Sequence, residues 1–132
     1  MRRVILPVLT ALAIPFFLCQ CLTTQYHTGA DSSRPPVTVE GTLFYPDESN
    51  VTYHIPEGAE IIGAGGKNCH FVVEEGGRMT AHSGYANTYE IRSGGSFKGF
   101  DHPATQCEVV FEEGAIIEQL EAGEQVSFRK AG

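Results

Sequence analysis

Apolar, polar and glycine positions recur in one fixed order four times within residues 53–117 of the chain. Each unit has an apolar residue, two mostly polar residues, a glycine, a small residue, one variable position and a second apolar residue. The four units occupy residues 55–61, 73–79, 91–97 and 111–117, so the first two steps between units are equal and the last is longer by two positions. A fixed period of about 20 residues is typical of solenoids, in which each repeat packs against its neighbours.

Each unit also carries the signal of a strand that ends at a corner. The large apolar residues before each glycine are spaced by two, as in Phe71 and Val73 or Tyr89 and Ile91, which is the period of a strand with one buried face. The glycine accepts positive φ and its small successor lets stacked corners approach closely. The predicted columns of equivalent residues are Tyr53, Phe71, Tyr89 and Val109; Ile55, Val73, Ile91 and Phe111; Gly58, Gly76, Gly94 and Gly114; and Ile61, Met79, Phe97 and Ile117.

The pattern therefore predicts an all-β fold, a single-stranded parallel β-helix (β-solenoid) with about 18 residues per coil and five to six coils. One coil buries only a few apolar side chains and cannot offset the cost of ordering its backbone, so the coils must stack. At the two ends the repeat is weaker. The expected end pairs are Val37 beside Ile55, Gly41 beside Ala59, Leu43 beside Ile61, Val126 beside Val109 and Phe128 beside Phe111.

The N-terminal segment, residues 1–21, has the pattern of a signal peptide, with Arg2 and Arg3 before an uncharged apolar run at residues 4–18. The end of this segment, Leu-Cys-Gln-Cys, resembles a bacterial lipobox and predicts lipidation at Cys21. Gln20 stands where a lipobox usually has a small residue. The second possibility is therefore cleavage before Leu22, which would release the protein without a lipid anchor. The third is that the segment is retained as a helical anchor. Residues 22–36 are polar and predict a disordered linker, and residues 37–132 form the expected solenoid domain.

Charge restricts the classes of partner. The N-terminal segment holds two of the nine basic residues and none of the sixteen acidic ones, which leaves seven basic and sixteen acidic residues, a formal net charge of −9. An acidic surface repels nucleic acid and anionic membrane faces, so we expect neither as a partner. We expect contact with a membrane only through the N-terminal lipid anchor.

Two cysteines, Cys69 and Cys107, remain in the predicted solenoid. The columns place Asn87 between them, two rungs apart and roughly 9–10 Å from each other, which is too far for an unstrained disulfide. We expect two reduced cysteines that face the core. A disulfide formed by a distorted loop and a metal site are the alternatives.

The loops at residues 81–87 and 99–106 lie outside the strict repeat, and the second carries two extra residues. Such insertions bulge from one side of a solenoid and are often where binding occurs. We therefore expect a ligand face there, formed by Tyr85, Phe100, His82 and His102, in which the rings of Tyr85 and Phe100 could stack on sugars.

Candidate chemistry is sparse. His70, His82, Asp101 and His102 offer zinc-ligating atoms but lack ligand spacing of the usual kind, so we expect solvated histidines, no metal and no cofactor. The two loops are adjacent, and their histidines could approach each other. The column of Glu74, Arg92 and Glu112 predicts a surface charge ladder rather than catalytic carboxylates. No catalytic residues are predicted.

The repeats resemble those of short bacterial β-solenoids, a broad class with cell-envelope scaffolds, filament-forming bactofilins and surface adhesins. The resemblance covers about residues 37–128. The six-residue step from Met79 to Tyr85 has no counterpart at Lys67 or Pro103, which argues against the hexapeptide acyltransferases. The resemblance implies an exported, non-enzymatic structural or interaction module of the envelope that associates with itself or with envelope proteins. The alternative is a glycan-binding module, or an accessory to carbohydrate processing, that uses the loop face.

Overall fold

The structure, a computed structural model, describes residues 34–119 and 125–131. These residues form strands and loops and no helix. The strands are Val37–Thr38 (β1), Thr42–Phe44 (β2), Thr52–Ile55 (β3), Glu60–Ala64 (β4), His70–Val73 (β5), Arg78–Ala81 (β6), Gly84–Tyr85 (β7), Thr88–Ile91 (β8), Ser96–Gly99 (β9), Ala104–Phe111 (β10), Ile116–Gln119 (β11) and Gln125–Lys130 (β12). No helix in this part of the chain is long and apolar enough to cross a membrane.

The strands form two parallel sheets that share one core. The seven-stranded sheet has the order β12-β10-β8-β5-β3-β1, with β7 paired to β10, and the five-stranded sheet has the order β11-β9-β6-β4-β2. Each coil contributes one main strand to the first sheet, turns a corner, and contributes the next strand to the second sheet. The chain is thus a β-solenoid of about five turns, which confirms the predicted fold class.

The register of the sheets confirms the columns read from the repeat. Tyr53 pairs with Phe71, Phe71 with Tyr89, and Tyr89 with Val109. The rings of Tyr53, Phe71 and Tyr89 stack face to face, with centroids 5.2 and 5.1 Å apart. Ile61, Met79, Phe97 and Ile117 pair in the same way across the five-stranded sheet. Large side chains of equal position therefore fill the interior rung by rung.

The glycine corners also stack as predicted. Gly58, Gly76, Gly94 and Gly114 all have positive φ, between 80° and 94°. Each of the first three donates a backbone hydrogen bond to the carbonyl of the next, with N–O distances of 3.2, 3.0 and 3.1 Å. A Cβ added at Gly76 or Gly94 would lie 2.7 Å from a glutamate Cγ of the preceding coil, so glycine also relieves crowding there.

A third corner follows the return loops and was not predicted. Asn50, Asn68, Ala86 and Gln106 occupy equivalent places and all have positive φ, between 55° and 63°. The backbone N–H groups of the first three, Asn50, Asn68 and Ala86, donate hydrogen bonds to carbonyls of the next coil, with N–O distances of 2.9–3.0 Å. Successive return loops are therefore hydrogen-bonded to each other as well. The signal for this corner in the sequence was asparagine at positions 50 and 68, because asparagine tolerates positive φ better than most residues.

Two expected end registers were wrong by two residues. Val37 lies beside Tyr53 rather than Ile55, because the first corner is shorter, although Leu43 does lie beside Ile61. At the other end Val126 lies beside Cys107 and Phe128 beside Val109.

At the second end the last coil is two residues longer than expected, since Val109 pairs with Phe128 rather than Val126, and its register against β10 also shifts. Thr105 pairs with Gln125, but Cys107 pairs with Val126, so one residue of β10 has no partner in β12. That residue is Gln106, whose φ is 58°. Gln106 is the corner residue equivalent to Ala86, and β12 has no counterpart to it.

Candidate functional site

The insertion places two histidines directly above one another at the start of adjacent return loops. His82 follows β6, and its N–H donates to the carbonyl of Ala64 in the preceding coil at 2.8 Å. His102 lies one coil later, and its N–H donates to the carbonyl of His82 at 2.9 Å. The same ladder that joins successive coils therefore brings the two imidazoles to one point on the surface.

Asp101 completes a three-residue group, which we call the histidine cluster (His82, Asp101 and His102). Oδ1 of Asp101 lies 2.7 Å from Nδ1 of His82 and 3.4 Å from Nδ1 of His102. The two imidazole centroids are 4.0 Å apart, and one ligand atom from each residue falls within 4.8 Å of the others. On its other side His82 meets the ring of Tyr45 edge-on at 6.3 Å.

The histidine cluster is open to solvent on one side. The side chains of His82, Asp101 and His102 are 34%, 56% and 60% exposed. The pKa of the Asp101 carboxyl is lowered: desolvation acts to raise this pKa, but the hydrogen bond to His102 and the charge and hydrogen bond of His82 outweigh it. Asp101 is therefore ionised at neutral pH and available as a ligand for a cation.

Phe100, which was expected on the ligand face, is fully buried, so that prediction was wrong. Its ring packs 5.5 Å from that of Tyr89 and 5.8 Å from that of Phe97. The inserted loop turns inward at this residue because a phenyl ring gains more from the core than from water. Phe100 is therefore an anchor that fixes the position of the adjacent Asp101 and His102.

Tyr85 does lie on the surface, 43% exposed, on the short strand β7. It borders a shallow groove whose other walls are polar or small. The groove is lined by Asp47, Ser49, Gly66, Lys67, Ser83, Gly84, Tyr85 and Pro103. Its lining residues Ser83 and Pro103 directly follow His82 and His102 in the chain, so the groove with Tyr85 adjoins the histidine cluster.

The two cysteines are free and buried, as expected, and Asn87 lies between them. Sγ of Cys69 contacts the carbonyl of Glu48 at 3.1 Å. Sγ of Cys107 contacts that of Thr105 at 3.5 Å. Burial raises the pKa of both thiols above the ordinary value. Thiols held in this way are poor nucleophiles.

The carboxylates of the outer sheet face are engaged in ion pairs. Arg92 lies 3.6 Å from Glu74 and 2.8 Å from Glu90, whereas Glu112 accepts a hydrogen bond from the backbone of Ser93 at 2.8 Å. The hydrogen bond from His70 lowers the pKa of Glu90 to about 2; burial opposes this, and Arg92 adds to it. The predicted ladder forms in part, with Glu90 as the unforeseen member.

The C-terminal end of the stack is a second candidate surface, which we call the open end. Its inward-facing apolar residues are only partly buried against the core: Phe111, Ala115, Ile117, Val126 and Phe128. Within the described residues, no strand pairs with the outer edge of β11 or β12. At the opposite end, β1 and β2 are likewise the outermost described strands, and Phe44 on β2 is 61% exposed.

Comparisons with known proteins return no family model, no curated protein and no solved structure that matches this chain. The resemblance to bacterial solenoids therefore extends only to the architecture. Cys21, the predicted lipidation site, lies outside the described residues.

Proposed function

We propose that this chain is a non-enzymatic structural or interaction module of the cell envelope, whose solenoid joins end to end with other copies. Export and attachment through Cys21 are part of the same proposal and derive from the N-terminal sequence. The observation that carries the proposal is the open end, where apolar core residues lie at the last described coil without a covering strand.

The open end has both features that favour association. Its outer strand edges have backbone donors and acceptors that can extend the two parallel sheets into a neighbouring molecule. Phe128 and Ile117 are partly exposed there, and complete burial of an apolar side chain contributes about 1.5–3 kcal/mol. The first coil of another copy offers two strands in the same parallel orientation. Such a contact joins different surfaces of two copies and produces rods rather than closed dimers.

The chemistry of the described residues is consistent with a role that does not require catalysis. The outer-face carboxylates Glu74 and Glu90 are held in ion pairs with Arg92, and the two thiols are buried.

Glycan binding, the second hypothesis, has weaker support. Of the two rings expected to stack on a sugar, Phe100 is buried in the core. Tyr85 alone remains beside a polar groove, and one exposed ring provides limited stacking area for a sugar. We therefore place the end-to-end module first.

The proposal is tested by light scattering and negative-stain imaging of residues 22–132 over a wide range of concentrations. We expect rods whose length grows with concentration. A protein that remains monomeric at every concentration, with a folded β circular-dichroism spectrum, would contradict end-to-end association.

A matched pair of variants locates the contact. Ile117→Lys places a charge on the inward-facing side of the open end, where the long side chain can still reach solvent. Ile116→Lys places the same charge on the outer face, where the native side chain is already 62% exposed. We expect Ile117→Lys to abolish rods and Ile116→Lys to retain them. Equal behaviour of the two folded variants would show that the contact lies elsewhere.

A further inference from the structure

We propose that His82, Asp101 and His102 form a binding site for a divalent transition-metal ion, with zinc as the reference ion. Among the described residues, this is the one group of three or more histidine, cysteine or acidic side chains whose ligand atoms converge. The site is independent of the proposed assembly at the open end, and neither proposal requires the other.

The donor set suits zinc. Two imidazole nitrogens and one carboxylate oxygen match the common catalytic-type zinc site of three protein ligands with a fourth position for water. Imidazole also binds copper and nickel well, while calcium and magnesium prefer sites made of oxygen alone. The chemistry of the cluster therefore selects a first-row transition metal over the hard cations.

The distances allow the ion to enter with small side-chain rotations. Ligand atoms around a tetrahedral zinc are about 3.3 Å apart, given metal–ligand bonds of about 2.0–2.1 Å. In the structure, Oδ1 of Asp101 is 2.7 and 3.4 Å from the two Nδ1 atoms. The shorter contact is a hydrogen bond, and binding would replace its proton with the metal.

The cluster is held by the fold rather than by chance contact of mobile loops. The hydrogen bond from the N–H of His102 to the carbonyl of His82 fixes the spacing of the two histidines. Phe100 is buried in the core directly before Asp101, and Pro103 restricts the backbone directly after His102. Tyr45 packs against the far side of the His82 ring. This support is what a metal site needs so that its ligands are already in position.

Two other histidines provide the comparison. His54 lies 3.4 Å from Glu74, and His70 lies 3.2 Å from Glu90. Each of these pairs brings one histidine and one acid together on the outer sheet face, as ordinary ion pairs do. Among the described residues, only the histidine cluster adds a second imidazole, and that difference predicts selective metal affinity.

The test is isothermal titration calorimetry of the full chain, without a polyhistidine tag and in a mild detergent, with zinc chloride at about pH 7.5, where imidazole is mostly neutral. We expect one saturable site of micromolar affinity or tighter. His102→Ala and Asp101→Asn, both at exposed positions, should each weaken it by at least about tenfold. His70→Ala, the control, should leave the affinity within about twofold of the original value.

A second readout separates lost ligands from lost folding. Zinc should raise the melting temperature of the original chain and of His70→Ala. It should raise that of His102→Ala much less, although the metal-free variants have β circular-dichroism spectra like that of the original chain. Absence of a saturable site, unchanged affinity in both cluster variants, or an equal loss in His70→Ala would each overturn the proposal.

Discussion

Asn87 is the buried polar residue on which the third corner of the solenoid depends, and its replacement by alanine is expected to be strongly destabilising. Its side chain is 1% exposed. Oδ1 accepts a hydrogen bond from the backbone N–H of Cys69 at 2.8 Å. Nδ2 donates to the hydroxyl of Tyr89 at 3.1 Å and to the carbonyl of Gly66 at 3.3 Å. One amide thus joins two coils and the return loop between them.

The magnitude is obtained from the groups that alanine would leave without partners. The N–H of Cys69 is buried, and an unsatisfied buried donor costs about 1–3 kcal/mol. The cavity left by the removed amide adds to this cost. We expect Asn87→Ala to lower the free energy of unfolding by about 2–4 kcal/mol, which lowers the melting temperature of a domain of this size by about 8 °C or more.

The assay is thermal and urea unfolding of residues 22–132, followed by circular dichroism. Gln119→Ala removes an exposed side-chain amide and is the control, with an expected change of about 0.5 kcal/mol or less. Asn87→Asp keeps the acceptor oxygen but buries a charge, which raises the pKa of the new carboxyl in the folded state. Its loss in free energy of unfolding should therefore shrink as the pH falls toward about 4 and the carboxyl becomes protonated. If Asn87→Ala cost no more than Gln119→Ala, the account of this corner would be refuted.

Two further predictions concern titratable groups. Glu90→Gln should lower the free energy of unfolding by about 1–2 kcal/mol near neutral pH. This value allows for screening by solvent, because the Glu90 side chain is 32% exposed. Since folding lowers the pKa of Glu90 from 4.5 to about 2, this deficit should vanish as the pH falls through that range; a deficit that is constant down to pH 2 would contradict the role of His70. Cys69 and Cys107 should resist iodoacetamide in the native protein and react fully in denaturant, as measured by mass spectrometry, because burial raises the pKa of both thiols. Rapid native labelling would contradict this.

The architecture could be predicted because a solenoid repeats its physical requirements in the sequence. A column such as Gly58, Gly76 and Gly94 needs positive φ in every coil, and a column such as Phe71 and Tyr89 needs a large apolar side chain in every coil. Each coil is therefore independent evidence for the same structure. The placement of Asn87 between the two cysteines followed from the same reasoning and is confirmed.

Prediction failed where the period changes. The insertion after β9 contains Phe100 and Asp101, and nothing in the repeat indicates which of its residues turns inward. The structure shows that burial of the phenyl ring decides this, and that the buried ring holds Asp101 beside His82. At the ends, the register of Val37 depends on a shortened corner and that of Val126 on the length of the last coil, and the repeat specifies neither.

The histidine cluster shows why sequence spacing alone is a weak test for a site in a solenoid. His82 and His102 are separated in the chain by one full coil with its insertion, a separation that matches no common metal motif. In a stacked fold, however, a separation of one period places two residues on adjacent rungs, about 4.8 Å apart. The appropriate search in such proteins is for ligating residues separated by one period.

Hydrogen exchange at low and high protein concentration tests the central claim most directly, because it reports which amides become protected when copies meet. For residues 22–132, the account predicts added protection in β1, β2, β11 and β12 and little change in the interior coils. Protection that instead appears on the outer sheet face around Glu90 and Glu108, or no change while rods form, would contradict end-to-end growth of the solenoid.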